Sequence, residues 1–161
     1  MEIEIVEKPS FAVIGKEGQG PSKAAMQWIA PLWEDATGNF ELIRPLIKYG
    51  ADGNIAGIWG AMSDIEGNFE PWHGQGKYLA GCEALPDAEP PFGWRKWNIP
   101  GFRYAVAECV PASYNDTYCA MLDDYFPKHG YRLVGAVQEF YRPTDINGEV
   151  YLYFPIERFP G

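Results

Sequence analysis

The stretch Arg132–Arg158, "RLVGAVQEFYRPTDINGEVYLYFPIER", decides the architecture. Two runs rich in Val, Leu, Phe and Tyr flank the segment TDINGE, whose Asn147-Gly148 pair is a strong hairpin signal. Two consecutive antiparallel strands are expected. Side chains alternate along a strand, so Leu133, Val137, Glu139 and Tyr141 share one face, and Val134, Ala136, Phe140 and Arg142 the other. In the second strand Val150, Leu152, Phe154 and Ile156 form an apolar face suited to packing on a helix, with Tyr151, Tyr153 and Pro155 opposite. If the hairpin pairs like faces, Tyr151 and Tyr153 share a surface with Glu139 and Tyr141. Glu139, a carboxylate in largely apolar company, breaks the strand pattern.

The helix that packs on this hairpin is expected just upstream. From Ser113, the residues Tyr114, Tyr118, Met121, Leu122 and Tyr125 recur at helical spacing, and Pro127 and Gly130 close the run. Before it, "WRKWNIPGFRYAVAECV" alternates as a strand. The first half follows a similar order. "MEIEIVEKPSFAVIG" is a strand interrupted near Pro9, a helix runs on from Ser22 with Pro31 as a kink, and "NFELIRPLIKYG" is helix-like. "NIAGIWGAMSD" and "KYLAGCEAL" are strands, and the proline-rich "PDAEPPFG" separates the halves. The element order strand-helix-strand-strand thus occurs twice. The expectation is one α+β domain over 1–161, built as a tandem repeat of about 1–86 and about 94–161, with a pseudo-twofold axis and a central ligand cleft.

Composition narrows the function classes. With 47% hydrophobic and 22% charged residues, 161 residues build a substantial core. A formal charge of −9 with scattered basic residues argues against nucleic acid as a partner, because phosphate binding needs clustered Lys and Arg. No apolar run reaches the length of a membrane span. Cys82, Cys109 and Cys119 form no CxxC pair and no apolar leader opens the chain, so a reducing cytoplasm is the expected location. His73 and His129 lack metal-ligand spacing, and "GKEGQG" lacks the ending of a phosphate loop, so no metal and no cofactor are expected. The 6 Trp, 10 Tyr and 9 Phe supply rings for a core or for a binding surface.

Two readings of Glu139 compete evenly on pattern alone. In one it is a partnered structural carboxylate, bonded to a Tyr hydroxyl or paired with Arg103 or Arg142. In the other it floors an aromatic cleft, where it attracts a cation and, with a pKa raised by desolvation, serves as a general acid or base.

The span "YNDTYCAMLDDYFPKHGYRLVGAVQEFYRPTDINGEVYLYFPI" resembles the C-terminal half of the GyrI-like (gyrase-inhibitor-like) small-molecule-binding family, which includes effector-binding domains of multidrug-responsive transcription activators. The matching features are "HGY", "EFY" with its glutamate, the Asn-Gly turn and "VYLYFPI"; "YLAGCEALP" and "KWNIPGFRYAVAE" resemble the middle of that family. What the resemblance implies is a cleft for lipophilic, often cationic aromatic compounds, with Glu139 as the family glutamate and Tyr153 or Tyr151 as a wall aromatic. A stand-alone subset resembles hydrolases of cyclopropane-containing toxins. In that reading Glu139 acts through a water, Tyr141 or Tyr153 donates a hydrogen bond, and no metal is needed. Glu83 falls on the family's Gly-x-Glu position, or is a solvated charge on an edge strand. Trp59, Trp97 and Trp33 are further candidates for the cleft wall, with core packing the reading that composition favours for each. The alternative is an acidic module that acts on a protein partner, inhibiting an enzyme such as a topoisomerase.

Overall fold

Alternating strand patterns account for eight strands: β1 (Ile3–Lys8), β2 (Phe11–Pro21), β3 (Ile58–Ser63), β4 (Gln75–Ala84), β5 (Arg95–Ile99), β6 (Phe102–Cys109), β7 (Gln138–Arg142) and β8 (Asp145–Arg158). They form one antiparallel sheet in the order β1-β6-β8-β7-β3-β4-β2-β5 in a computed structural model that describes residues 2–160, the side chain of Ile146 excepted. Three helices lie on it: α1 (Ala25–Gly38), α2 (Tyr114–Ala120) and α3 (Phe126–His129), the last two joined through a π-helical turn, Met121–Tyr125. The architecture is mixed α+β, as expected. Among the described residues no helix is long and apolar enough to cross a membrane.

Proline sets several boundaries that periodicity did not resolve. The strand expected to be interrupted near Pro9 is two strands in different parts of the sheet, β1 on β6 and β2 between β4 and β5. The strand expected from Trp94 onward likewise divides at Pro100-Gly101 into β5 and β6. "NFELIRPLIKYG" forms a short 3-10 segment, Phe40–Leu46, instead of an α-helix, consistent with the missing amide donor at Pro45. Pro31 does not end α1, which continues to Gly38. Ser22 does not cap α1; its hydroxyl donates to the Gly74 carbonyl at 3.2 Å.

The two-residue linkers also curl the sheet. β1 and β2 stand six strand spacings apart in the order, ~29 Å in a flat sheet. Pro9 and Ser10 bridge at most ~11 Å. The sheet therefore bends until its two edges approach. The face without helices is the inside of the curl, where rings from β2, β3, β8 and β6 touch in series: Phe11 to Trp59 at 4.8 Å, Trp59 to Tyr153 at 5.0 Å and Tyr153 to Tyr104 at 5.2 Å.

The hairpin forms, with a correction to its turn and register. Arg142 lies opposite Asp145, so the tight turn is Pro143-Thr144, and Asn147-Gly148 sits in a register break within β8. A two-residue turn pairs even-numbered with odd-numbered positions. Glu139 is accordingly opposite Leu152, Tyr141 opposite Val150, and Phe140 opposite Tyr151. Glu139 and Tyr141 thus share the face of Val150, Leu152 and Phe154, which packs on Met121, Phe126 and Tyr118 of the α2–α3 region. Tyr151 and Tyr153 are on the other face, contrary to the expected pairing of like faces.

Candidate ligand-binding cleft

β7 and β3 are the two middle strands, and Glu139 is opposite Gly60 of β3. α1 covers β2 and β4 to one side, and α2 lies against β6 on the other. Glu139 is at the floor between these two helices.

Gly60 shapes that floor. A Cβ there would overlap the Tyr78 hydroxyl and Glu139 Oε1, so only glycine lets the side chain of Tyr78 reach across from β4. The Tyr78 hydroxyl donates to Glu139 Oε1 at 2.5 Å, the Tyr141 hydroxyl donates to the same oxygen at 3.0 Å, and Tyr114 of α2 donates to Oε2. Trp33 of α1 donates its indole N–H to the Tyr78 oxygen at 2.9 Å and stands edge-on to Tyr141, ring centroids 5.2 Å apart. The neighbouring Gln138 holds the two middle strands together beyond the end of their ladder. Its Oε1 accepts from the Met62 amide at 2.7 Å, and its Nε2 donates to the Met62 carbonyl at 3.0 Å.

Glu139 is 6% exposed, and among the described residues it makes no ion pair. Burial pushes its carboxyl above the ordinary value of 4.5, outweighing the hydroxyls of Tyr114, Tyr78 and Tyr141, which favour the carboxylate. Burial, followed by the adjacent Glu139 charge, raises all three phenols, so they stay protonated as donors. The result is a desolvated anion held only by neutral groups. Such a group can seat a cation or accept a proton.

Of the residues named from sequence, Glu139, Tyr141 and Trp33 converge here. Glu83, Trp59, Trp97, Tyr153 and Tyr151 do not: they lie on the inner face of the curl, because Trp59 pairs with Phe140 and Glu83 with Val13, one position out of phase with Gly60 and Tyr78. Glu83 is a partnered charge. It accepts the Trp59 indole N–H at 3.1 Å and pairs with Lys8 at 3.4 Å and Lys48 at 3.6 Å. The Lys8 ammonium also lies 4.3 Å from the centroid of Phe11. Tyr151 is bonded by Arg142 at the sheet rim, and Trp97 donates to Glu17 at 2.7 Å. Tyr78 and Tyr114 were missed as partners of Glu139. Tyr114 is legible only as part of a helix stripe, and Tyr78 only as a residue of the strand KYLAGCEAL.

Comparison with known proteins gives the same fold and family. Residues 1–157 match the family described as the GyrI-like small molecule binding domain. The transcriptional regulator BrlR of Pseudomonas aeruginosa is 28% identical over an alignment covering 97% of this chain and 56% of BrlR, so the chain spans a little over half of that relative. Among solved structures, SAV2435 bound to tetraphenylphosphonium superposes with a TM-score of 0.69 at 18% identity, covering 98% of this chain and 94% of that one. The EcmrR C-terminal domain superposes with a TM-score of 0.63 at 16% identity, covering 98% of each chain. A putative transcription regulation protein from Staphylococcus aureus MU50 gives 0.66 at 17% identity, covering 98% of this chain and 99% of that one. With a match across nearly its whole length, and a sheet whose central glutamate lies between two helices, the chain belongs to the GyrI-like family of small-molecule-binding domains.

Proposed function

We propose that the cleft between α1 and α2 binds a flat, hydrophobic organic cation, with its charge against Glu139 and its rings against Trp33 and Tyr141. The observation that carries this reading is the contrast in partners. A buried carboxylate costs several kcal/mol unless it is compensated, and among the described residues Glu139 has three hydroxyls and no cation. A ligand supplies the missing charge. Because Tyr114 reaches Glu139 from α2, displacement of this one hydroxyl frees Oε2 for the ligand without opening the sheet. The family's description and the tetraphenylphosphonium carried by SAV2435 support a hydrophobic organic cation; flatness rests on the rings of Trp33 and Tyr141 alone.

Titration of a rhodamine dye against the wild type and Glu139→Gln tests the reading. Saturable binding that weakens at least tenfold in the variant supports it. Equal binding by both proteins sinks the role of Glu139, and binding by neither favours the protein-interaction alternative.

A hydrolytic step on the bound ligand is a second reading, favoured by the raised Glu139 carboxyl with protonated phenols beside it. Glu139 takes a proton from a water whose oxygen bonds to a cyclopropane carbon. The C–C bond opens, and its electron pair passes to a carbonyl oxygen conjugated with the ring, to which Tyr141 donates a hydrogen bond. The proton held by Glu139 then passes through solvent to that oxygen. Tyr153 has no part, since it faces the inside of the curl. Mass spectrometry of a cyclopropane alkylator incubated with both proteins decides this, and equal product formation removes Glu139 as the base.

A further inference from the structure

A concavity lies on the inner face of the sheet, away from Glu139, where the free charge has the opposite sign. A hollow of about 300 Å³ is lined by Ser63, Gly67, Phe69, Lys77, Lys96, Trp97 and Asn98. This volume is at the lower end of the range for small-molecule sites, ~300–1,000 Å³. Ser63 pairs with Lys77, and Trp97 pairs with Val13 next to Glu83, which puts these three on the face away from Glu139, whereas Lys96 and Asn98 alternate to the other face along the edge strand β5.

One wall is held in a conformation that a bulky residue rarely adopts. Phe69 has φ +58°, the only positive φ among the described non-glycine residues. Four hydrogen bonds impose it: Asn68 and Glu70 amides donate to Asp64 Oδ1 at 2.8 and 3.3 Å, the Phe69 amide donates to Ser63 Oγ at 2.9 Å, and the Ala136 amide donates to the Phe69 carbonyl at 2.7 Å. Backbone strain that is over-determined in this way concentrates at ligand clamps. Its effect is to set the Phe69 ring edge-on to Trp97, with centroids 5.9 Å apart.

The charges around the hollow are mostly engaged. The Lys96 ammonium donates to the Pro86 carbonyl at 2.5 Å, Glu17 accepts from the Trp97 indole, and the Asp64 carboxylate is turned to its loop amides. Half-buried Lys77 has no carboxylate within ion-pair distance among the described residues. In a chain of net charge −9, a half-buried unpaired ammonium beside two aromatic rings selects an anion with a flat apolar body.

We propose that this hollow is a second binding site, for a small aromatic carboxylate or sulfonate, with its ring against Phe69 and Trp97 and its acid group at Lys77. The site is independent of the Glu139 cleft. The test is an amide and indole NMR titration of the whole chain with 2-naphthoate and its neutral isostere 2-naphthamide, using wild type, Lys77→Met and Glu139→Gln. Expected are saturable shifts at Lys77, Phe69 and the Trp97 indole in wild type and in Glu139→Gln. Naphthamide should bind about fivefold more weakly, and Lys77→Met should lose naphthoate affinity by the same factor, as suits a partly exposed pair. Absence of saturable shifts at millimolar naphthoate overturns the site. So do shifts confined to the Glu139 cleft, equal affinity for the amide, or an unchanged Lys77→Met.

Discussion

Glu139 and Glu83 stand on opposite faces of one sheet, both buried but differently compensated: Glu139 by three tyrosine hydroxyls, Glu83 by Lys8, Lys48 and the Trp59 indole. Their substitutions should separate function from stability. Glu83→Gln leaves two lysines without their anion and should cost about 2 kcal/mol, below the range for a fully buried pair because both ammoniums are partly exposed. Its dye affinity should stay at wild type. Glu139→Gln should lose dye binding and gain stability, by about 1 kcal/mol, since a desolvated charge is removed from a functional site. Thermal melts and dye titrations on both variants check this; a binding loss in Glu83→Gln contradicts the assignment of faces.

The raised Glu139 carboxyl predicts opposite pH trends for stability and binding. Its folded-state pKa lies above the ordinary 4.5, so its contribution to stability is complete below 4.5 and is lost as pH rises through the raised value. The difference in melting temperature between wild type and Glu139→Gln should therefore shift against wild type as pH increases over that window. Cation affinity needs the carboxylate and should climb with pH across the same window, then level off. Paired melts and titrations from pH 4.5 upward read both, and pH-independent dye affinity is the outcome that refutes the prediction.

Gly60 is predicted to be intolerant of even one methyl group. Gly60→Ala places a Cβ on the Tyr78 hydroxyl and Glu139 Oε1, both buried, at a cost of about 1–3 kcal/mol for overpacking. Dye binding should fall with it. Gly38 at the end of α1 has nothing within 4 Å of the corresponding position, and Gly38→Ala should be neutral or slightly stabilising. Denaturant midpoints of the two variants make the comparison.

Trp33 should select for flat ligands. Its ring is edge-on to Tyr141 and its N–H orients the Tyr78 hydroxyl, so Trp33→Leu removes an aromatic wall worth about 1 kcal/mol or more to a stacked cation. Rhodamine affinity should drop about tenfold, while a small tetraalkylammonium loses less. Isothermal titration with both ligands tests this, and equal losses for the two would deny Trp33 a role in selectivity.

Local pattern carried the strands, the long helix α1, the apolar face of β8 on its helix, and Glu139 as the anomaly. Each depends on neighbours within one or two turns or along one strand, where side-chain periodicity is a direct record of burial. What sequence left open was pairing. Whether Pro9 marks a bulge or a crossover to the far side of the sheet depends on which edges approach, and no local signal encodes that. The Asn147-Gly148 signal favours a turn that the chain makes at Pro143-Thr144 instead, but the face of the β8 tyrosines turns on parity. Pairing by likeness of residue type sets Tyr151 and Tyr153 beside Glu139, whereas a two-residue turn at either place sets odd against even positions and puts them on the opposite face. The sequence by itself determined that a carboxylate had to be accommodated inside an aromatic-rich α+β domain. Only the tertiary structure decided its company, because Tyr78, Gly60, Tyr114 and Trp33 come from four separate elements, and register across the strands, together with helix placement, brings them to Glu139 and sends Glu83 to the other side.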